Sequence, residues 1–111
     1  MRRKGGKETG LVRQVLDYLH LRKIWAYRNN TGALRDKTGR PVFFGAKGSP
    51  DIIARLRTVG YGFSGRVIHI ECKSEKGKQS DYQKEWQELA EAHGDIYIIA
   101  KKLEDVIEVF E

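Results

Sequence analysis

Two short apolar segments, Asp51–Leu56 and Arg66–Cys72, constrain this chain more than any other feature in it. Each carries neighbouring or alternating isoleucines, each is too short for a stable helix, and glycines punctuate the stretch Thr58–Gly65 between them. Such runs form strands, so the chain must build a sheet with a turn at Thr58–Gly65. Side chains alternate across a strand, which sends Glu71 and Lys73 to one face and Cys72 to the other. A carboxylate stands at the head of the first strand, Asp51 in Ser49-Pro50-Asp51, and another closes the second, Glu71 in Glu71-Cys72-Lys73. Two acids placed this way can hold a hard divalent cation through oxygen, and a lysine beside them can face a phosphate. Glu-x-Lys alone is a weak signal, because a chain this charged yields about one or two copies by chance.

The rest of the chain alternates helix and strand periodicity. Leu11, Val12, Val15, Leu16 and Leu19 fall at helical spacing, which predicts a first helix from Glu8 to about Arg22. Glu8 lies on the apolar stripe, either as a first-turn acid favoured by the helix dipole or as a functional group aimed at the core edge. Ile24–Arg28 reads as a strand, and residues 29–48 as a long loop with a brief strand at Val42–Phe44. A loop of that length in a small domain is usually functional. Its basic residues Arg35, Lys37, Arg40 and Lys47 are the candidate contacts to a polyanion. Ser80 to His93 is a second helix, opened by the capping box Ser80-x-x-Gln83 and ended by Gly94. Ile96–Ala100 is a near-continuous apolar run, expected to be a buried strand, and Leu103, Val106, Ile107 and Phe110 mark a short terminal helix. The order α-β-β-β-α-β-α defines an α/β domain over residues 8–111, preceded by a basic, flexible arm at 1–7.

Charge narrows the class of partner. The formal net charge of +6 divides unevenly: residues 1–80 hold 18 basic and 6 acidic side chains, residues 81–111 hold 3 and 9. A basic body of that size points to nucleic acid, since phosphates are neutralised by Lys and Arg with release of counterions. Asp51 and Glu71 are two of the six acids within it. The single cysteine, Cys72, forms no internal disulfide and is too few for a zinc site, so a soluble, unexported, cytoplasmic protein is expected. No apolar run reaches membrane length, and no apolar segment follows Arg2-Arg3-Lys4 as it would in a signal peptide.

Several apparent motifs fail on context. Gly60-Tyr61-Gly62-Phe63-Ser64-Gly65 spells the dinucleotide fingerprint, but a strand follows it where a helix is required. His69-Ile70-Glu71 imitates half of a zinc deaminase signature whose cysteine half is absent. The three histidines are scattered and read as surface or helix-end residues. No Ser or Cys nucleophile stands in a recognised catalytic spacing.

The order α-β-β-β-α-β with Pro50-Asp51…Glu71-Cys72-Lys73 resembles the PD-(D/E)xK nuclease superfamily. More narrowly, the chain resembles a stand-alone member of the virus-type replication-repair nuclease (VRR-NUC) family. The matching pieces are Glu8, Arg28-Asn29-Asn30 with Gly32, Lys47-Gly48-Ser49-Pro50-Asp51, Glu71-Cys72-Lys73 and Gln79-Ser80-Asp81-Tyr82-Gln83. The resemblance implies a restriction-endonuclease-like core, a small mixed sheet flanked by helices, and a Mg²⁺- or Mn²⁺-dependent DNA endonuclease. It implies a homodimer acting on branched DNA such as four-way junctions. Asp51 and Glu71 would ligate the metal with the Cys72 backbone carbonyl. Lys73 would orient the attacking water, Glu8 would act through a water or a second metal, and Gln83 would assist Lys73. The competing reading is a DNA-binding module of the same fold without catalysis; a sequence-specific restriction enzyme has little room here for a base-reading element.

Overall fold

A computed structural model describes residues 6–30, 32–56 and 65–111. Nine elements follow one another: α1 (Gly6–Leu21), β1 (Trp25–Arg28), β2 (Gly32–Arg35), β3 (Pro41–Phe44), β4 (Ile52–Arg55), β5 (Val67–Cys72), α2 (Asp81–Ala92), β6 (Ile96–Ala100) and α3 (Leu103–Phe110). Residues 1–5 of the expected arm, and the turn at 57–64 with most of the glycine motif, lie outside the described residues. The expected order holds, with one addition, the hairpin β2–β3 between the first two core strands. The first helix begins at Gly6, two residues before the apolar stripe would place it, because backbone hydrogen bonding does not require an apolar side chain at each position.

β1, β4, β5 and β6 form one mixed sheet in that order. β1 and β4 are antiparallel, β4 and β5 are antiparallel, and β5 and β6 are parallel, joined through α2. A helix crossover is what a parallel neighbour requires. α1 lays Leu11, Val12, Val15 and Leu19 on one face of this sheet, against Ala26, Ile52, Ala54, Ile68, Ile70 and Cys72. α3 adds Val106 to the same core beside Ile98 and Ala100. On the opposite face α2 covers the β6 side. The result is a mixed α/β fold with helices on both faces and a small separate hairpin.

Two expectations change. The segment expected to be mostly loop forms β2–β3, paired from Gly32↔Phe44 to Arg35↔Pro41. Its turn is closed by Asp36, whose Oδ1 accepts hydrogen bonds from the Thr38 and Arg40 backbone N–H groups and from the Thr38 hydroxyl. These bonds hold the Asp36 carboxyl below the usual range, the hydroxyl bond contributing most. Gly39 supplies the φ of +86° that the turn needs. Local side-chain bonding of this kind makes a hairpin from residues whose composition reads as loop. The second change concerns β6, which is an edge strand with Ile99 exposed rather than a fully buried one. Its apolar run reflects helices packed on both faces, not a central position in the sheet.

No helix among the described residues is long and apolar enough to cross a membrane.

Burial separates β5 from β6 energetically. Ile70 is 0% exposed and Ile99 is 37% exposed. Ile70→Ala should lower unfolding free energy by about 2–5 kcal/mol, and Ile99→Ala by much less, about 1 kcal/mol. Urea denaturation of the two variants checks the ranking.

Candidate active site

The sheet face beneath α2 is organised in rows. The paired registers place Tyr27, Ile53, His69 and Tyr97 side by side. One step along the strands, the same registers bring Asn29, Asp51, Glu71 and Ile99 together, with the Asn29 backbone N–H donating to the Asp51 carbonyl at 2.7 Å. Both candidate carboxylates therefore meet at one end of the sheet, across the β4–β5 pair.

Asp51 is held by three devices. Its Oδ2 accepts the Cys72 backbone N–H at 2.8 Å, which ties the head of β4 to the end of β5. The Asn29 side-chain amide donates to the Ser49 hydroxyl at 2.9 Å and to the Pro50 carbonyl at 3.0 Å, bracing the approach to Asp51. Gly48, at φ +84°, then presses the loop onto the first turn of α2. A Cβ at Gly48 would lie 2.4 Å from the Tyr82 carbonyl oxygen, so only glycine permits this approach. The Lys47 ammonium lies 4.1 Å from the centre of the Tyr82 ring, a cation–π contact that adds to the same docking.

Glu71 is 4% exposed, and its Oε2 is buried without a hydrogen-bond partner. Lys73 Nζ stands 4.0 Å from its Oε1. Burial pushes the Glu71 carboxyl up to about 9, and the Asp51 charge, a hydrogen bond shared with Asp51 and the more distant Glu8 push the same way, against Lys73. Cys72 is raised to about 12, first by burial and then by the Asp51, Glu71 and Glu8 charges, so its thiol is inert. Glu8, in the first turn of α1, accepts the Ser74 backbone N–H at 3.2 Å, which places its carboxylate at the end of β5. Beside Lys73 opens a hollow of about 520 Å³ lined by Leu11, Ser74, Glu75, Lys76 and Lys101.

The donor set suits a hard cation. Among the described residues no three His, Cys, Asp or Glu side chains group to hold a metal ion. The pair Asp51–Glu71 is what Mg²⁺ normally takes from protein, one or two carboxylates with the remaining positions left to water and substrate. A buried carboxylate oxygen with no partner is costly unless something positive reaches it.

Other expected participants have different neighbours. Gln83 closes the capping box of α2: its Oε1 accepts the Ser80 N–H at 2.9 Å, and its own N–H donates to the Ser80 hydroxyl at 3.2 Å. Among the described residues no hydrogen bond joins Gln83 to Lys73. Arg35, Lys37 and Arg40 are exposed on the β2–β3 hairpin, away from the carboxylates in sequence and in sheet. Arg35 donates to the Gly39 carbonyl at 2.7 Å.

His69 corrects the reading of the histidines as surface residues, because it is 7% exposed on the central strand. Trp86 Nε1 donates to its Nδ1 at 3.0 Å, and its Nε2 meets Asp95 Oδ2 at 2.9 Å. An indole N–H can only donate, so Nδ1 accepts and Nε2 carries the proton given to Asp95. With both ring nitrogens engaged, His69 is a lock between β5 and α2 rather than a metal ligand. Its position two residues before Glu71 on an alternating strand, with Trp86 on the apolar stripe of the following helix, was the available signal. Asn29 and Gly48 stood within the motif, but their bracing roles appear only in three dimensions.

No protein-family model, curated protein or solved structure matches this chain.

The raised Glu71 carboxyl has a consequence for stability. Its folded value lies above the unfolded one, so the folded chain binds the extra proton between about pH 4.5 and 9. In EDTA the contribution of Glu71 is fully present below pH 4.5 and should be lost as pH rises through 9. Glu71→Gln should remove this decline, and Mn²⁺ should offset it in the unmutated protein. Chemical denaturation of both proteins at pH 5, 7 and 9, with EDTA or Mn²⁺, measures the difference.

Proposed function

We propose that this chain is a Mg²⁺- or Mn²⁺-dependent DNA endonuclease of the PD-(D/E)xK type, resembling the VRR-NUC family, that cuts phosphodiester bonds in branched DNA. One observation carries the reading: Asp51 and Glu71 meet at the end of β4 and β5, Glu71 Oε2 is buried without a partner, and Lys73 is beside them. The order α-β-β-β-α-β, with a hairpin inserted after the first strand, supports the superfamily, and the basic body supports the substrate class.

In this reading Asp51 and Glu71 hold the cation, with the Cys72 carbonyl as a further oxygen donor. When bound, a divalent cation supplies Lewis-acid polarisation of the phosphate and eases ionisation of water. Lys73 offsets charge that develops on the phosphate oxygens and orients the attacking water. Glu8 fixes the chain leaving β5 through Ser74 and places a third acid near the reacting centre. Gln83 is chiefly a helix cap, which sets the position of α2 and, through Tyr82, of the Gly48 loop. Arg35, Lys37 and Arg40 on the exposed hairpin are phosphate contacts, and Lys47 beside Tyr82 extends them toward the acids. A purely DNA-binding module gains nothing from two acids brought together, one of them buried with an unpartnered oxygen.

Cleavage of labelled DNA in Mg²⁺ or Mn²⁺ tests the reading. Asp51→Asn and Glu71→Gln should abolish cleavage while DNA binding survives or tightens, and EDTA should have the same effect as either change. Lys73→Ala should keep Mn²⁺ binding by calorimetry and lower the single-turnover rate by roughly two to four orders of magnitude. Near-native cleavage by an Asp51 or Glu71 variant, or DNA binding with no cleavage by the unmutated protein, rejects catalysis at this site.

Resolving a four-way junction takes two symmetric incisions, and a C₂ dimer of single-site protomers supplies them. The proposal therefore includes a homodimer. Light scattering should give roughly twice the 12.8 kDa chain mass, and four-way junctions should be nicked faster than linear duplex. A monomer both free and on DNA rejects the dimer, and equal rates on the two substrates reject the junction preference.

A further inference from the structure

The sheet face that bears the acids is covered unequally. α2 packs over β6, and among the described residues no helix packs over the same face of β1 and β4. There Trp25 is 67% exposed and Tyr27 is 48% exposed, on alternate positions of the edge strand β1. Their ring centres lie 6.2 Å apart at an interplanar angle of 48°. The strand partner of Trp25 is Arg55, also exposed, and the partner of Tyr27 is the half-buried Ile53. The next residue on that face, Asn29, stands beside Asp51. Trp25 and Tyr27 thus lie on a line that ends at the carboxylates, about 14 and 7 Å from Asn29 along the strand.

From this geometry we infer that Trp25 and Tyr27 form a stacking platform for an unpaired stretch of nucleic acid adjoining the reacting phosphate. Exposed aromatic rings interleaved with arginine are what sequence-tolerant single-strand binding uses, because every base has a π face and every nucleotide a phosphate. Duplex bases cannot use the platform. One strand of a duplex rises about 3.4 Å per base, and ring centres 6.2 Å apart can each seat a base only when the strand is pulled out of its stack. Self-association through this patch is disfavoured by charge, since a two-fold contact would turn the face that carries Arg55 onto itself. The inference rests on the nuclease reading and deepens it: within branched DNA, the platform seats whatever strand is unpaired beside the cut site.

The test uses the full chain in EDTA, with fluorescence anisotropy of a labelled oligothymidylate and of a blunt hairpin duplex. Trp25→Ala and Tyr27→Ala should each weaken oligothymidylate binding roughly ten-fold or more. Duplex binding should change less than about two-fold, and Trp25→Phe should keep single-strand binding within about three-fold, because a phenyl ring still stacks. Both side chains are exposed, and an unchanged melting temperature for each variant shows that the loss is one of contact. Unaltered oligothymidylate binding, equal losses on both probes, or a Trp25→Phe loss as large as that of alanine overturns the platform. So does a Trp25→Ala variant that halves the mass seen by light scattering, which makes the patch a surface between copies. Trp25-dependent binding by a protein that never cleaves in Mg²⁺ or Mn²⁺ upholds the platform and removes the nuclease reading. Cleavage that needs Asp51 and Glu71, with binding indifferent to Trp25, does the reverse.

Discussion

The hydrogen bond from the Cys72 backbone N–H to the Asp51 carboxylate is the contact on which the site depends. It joins the start of one strand to the end of the next, and so brings a second acid against Glu71 in a place with little solvent. A charge-assisted bond of this kind is among the stronger ones available to a small domain. Its cost is electrostatic: the Asp51 carboxyl group stands against the buried Glu71, with Lys73 Nζ 4.0 Å from Glu71 Oε1. Much of the surrounding structure holds that corner in place. Asn29 braces the chain before Asp51, Gly48 lets the same chain lie on α2, and Glu8 fixes the chain after Lys73.

The two faces of the sheet divide the work. Toward α1 and α3 lies a wholly apolar core, where Ile52, Ile68, Ile70 and Val106 are fully buried. Toward α2 the same strands carry polar groups in rows, held by specific bonds rather than by area alone. The Trp86–His69–Asp95 chain is the main polar tie there, and Tyr97 stacks on the His69 ring at 6.2 Å. Packing on one face supplies rigidity, and hydrogen bonding on the other supplies direction. The cation site proposed above would need both.

Helix α2 links the halves of the site. Its N-terminus is capped by Ser80 and Gln83, its first turn receives Gly48 and the Lys47 ammonium, and its middle holds His69. α2 thus touches both the loop that leads to Asp51 and the strand that carries Glu71. Gln83 acts at one remove from the carboxylates, by fixing the helix that carries these contacts.

Periodicity and alternation in the chain by themselves determined the helices, the core strands and their order, because apolar spacing records which face of each element is buried. Alternation along Arg66–Cys72 likewise placed Glu71 and Lys73 on one face. Spacing carries no information on register, on which strands are neighbours, or on contacts between distant segments. Only the tertiary structure put Asp51 against Cys72, left Glu71 Oε2 without a partner, and buried His69 between Trp86 and Asp95. It also made a hairpin of residues that read as loop, and set the apolar β6 at the sheet edge. The hairpin closes over at most 12 residues, but the contacts of Asp51 with Cys72 and of His69 with Trp86 and Asp95 span 17 or more, and burial, which sets the cost of a charge or an unmade hydrogen bond, exists only once such segments have met.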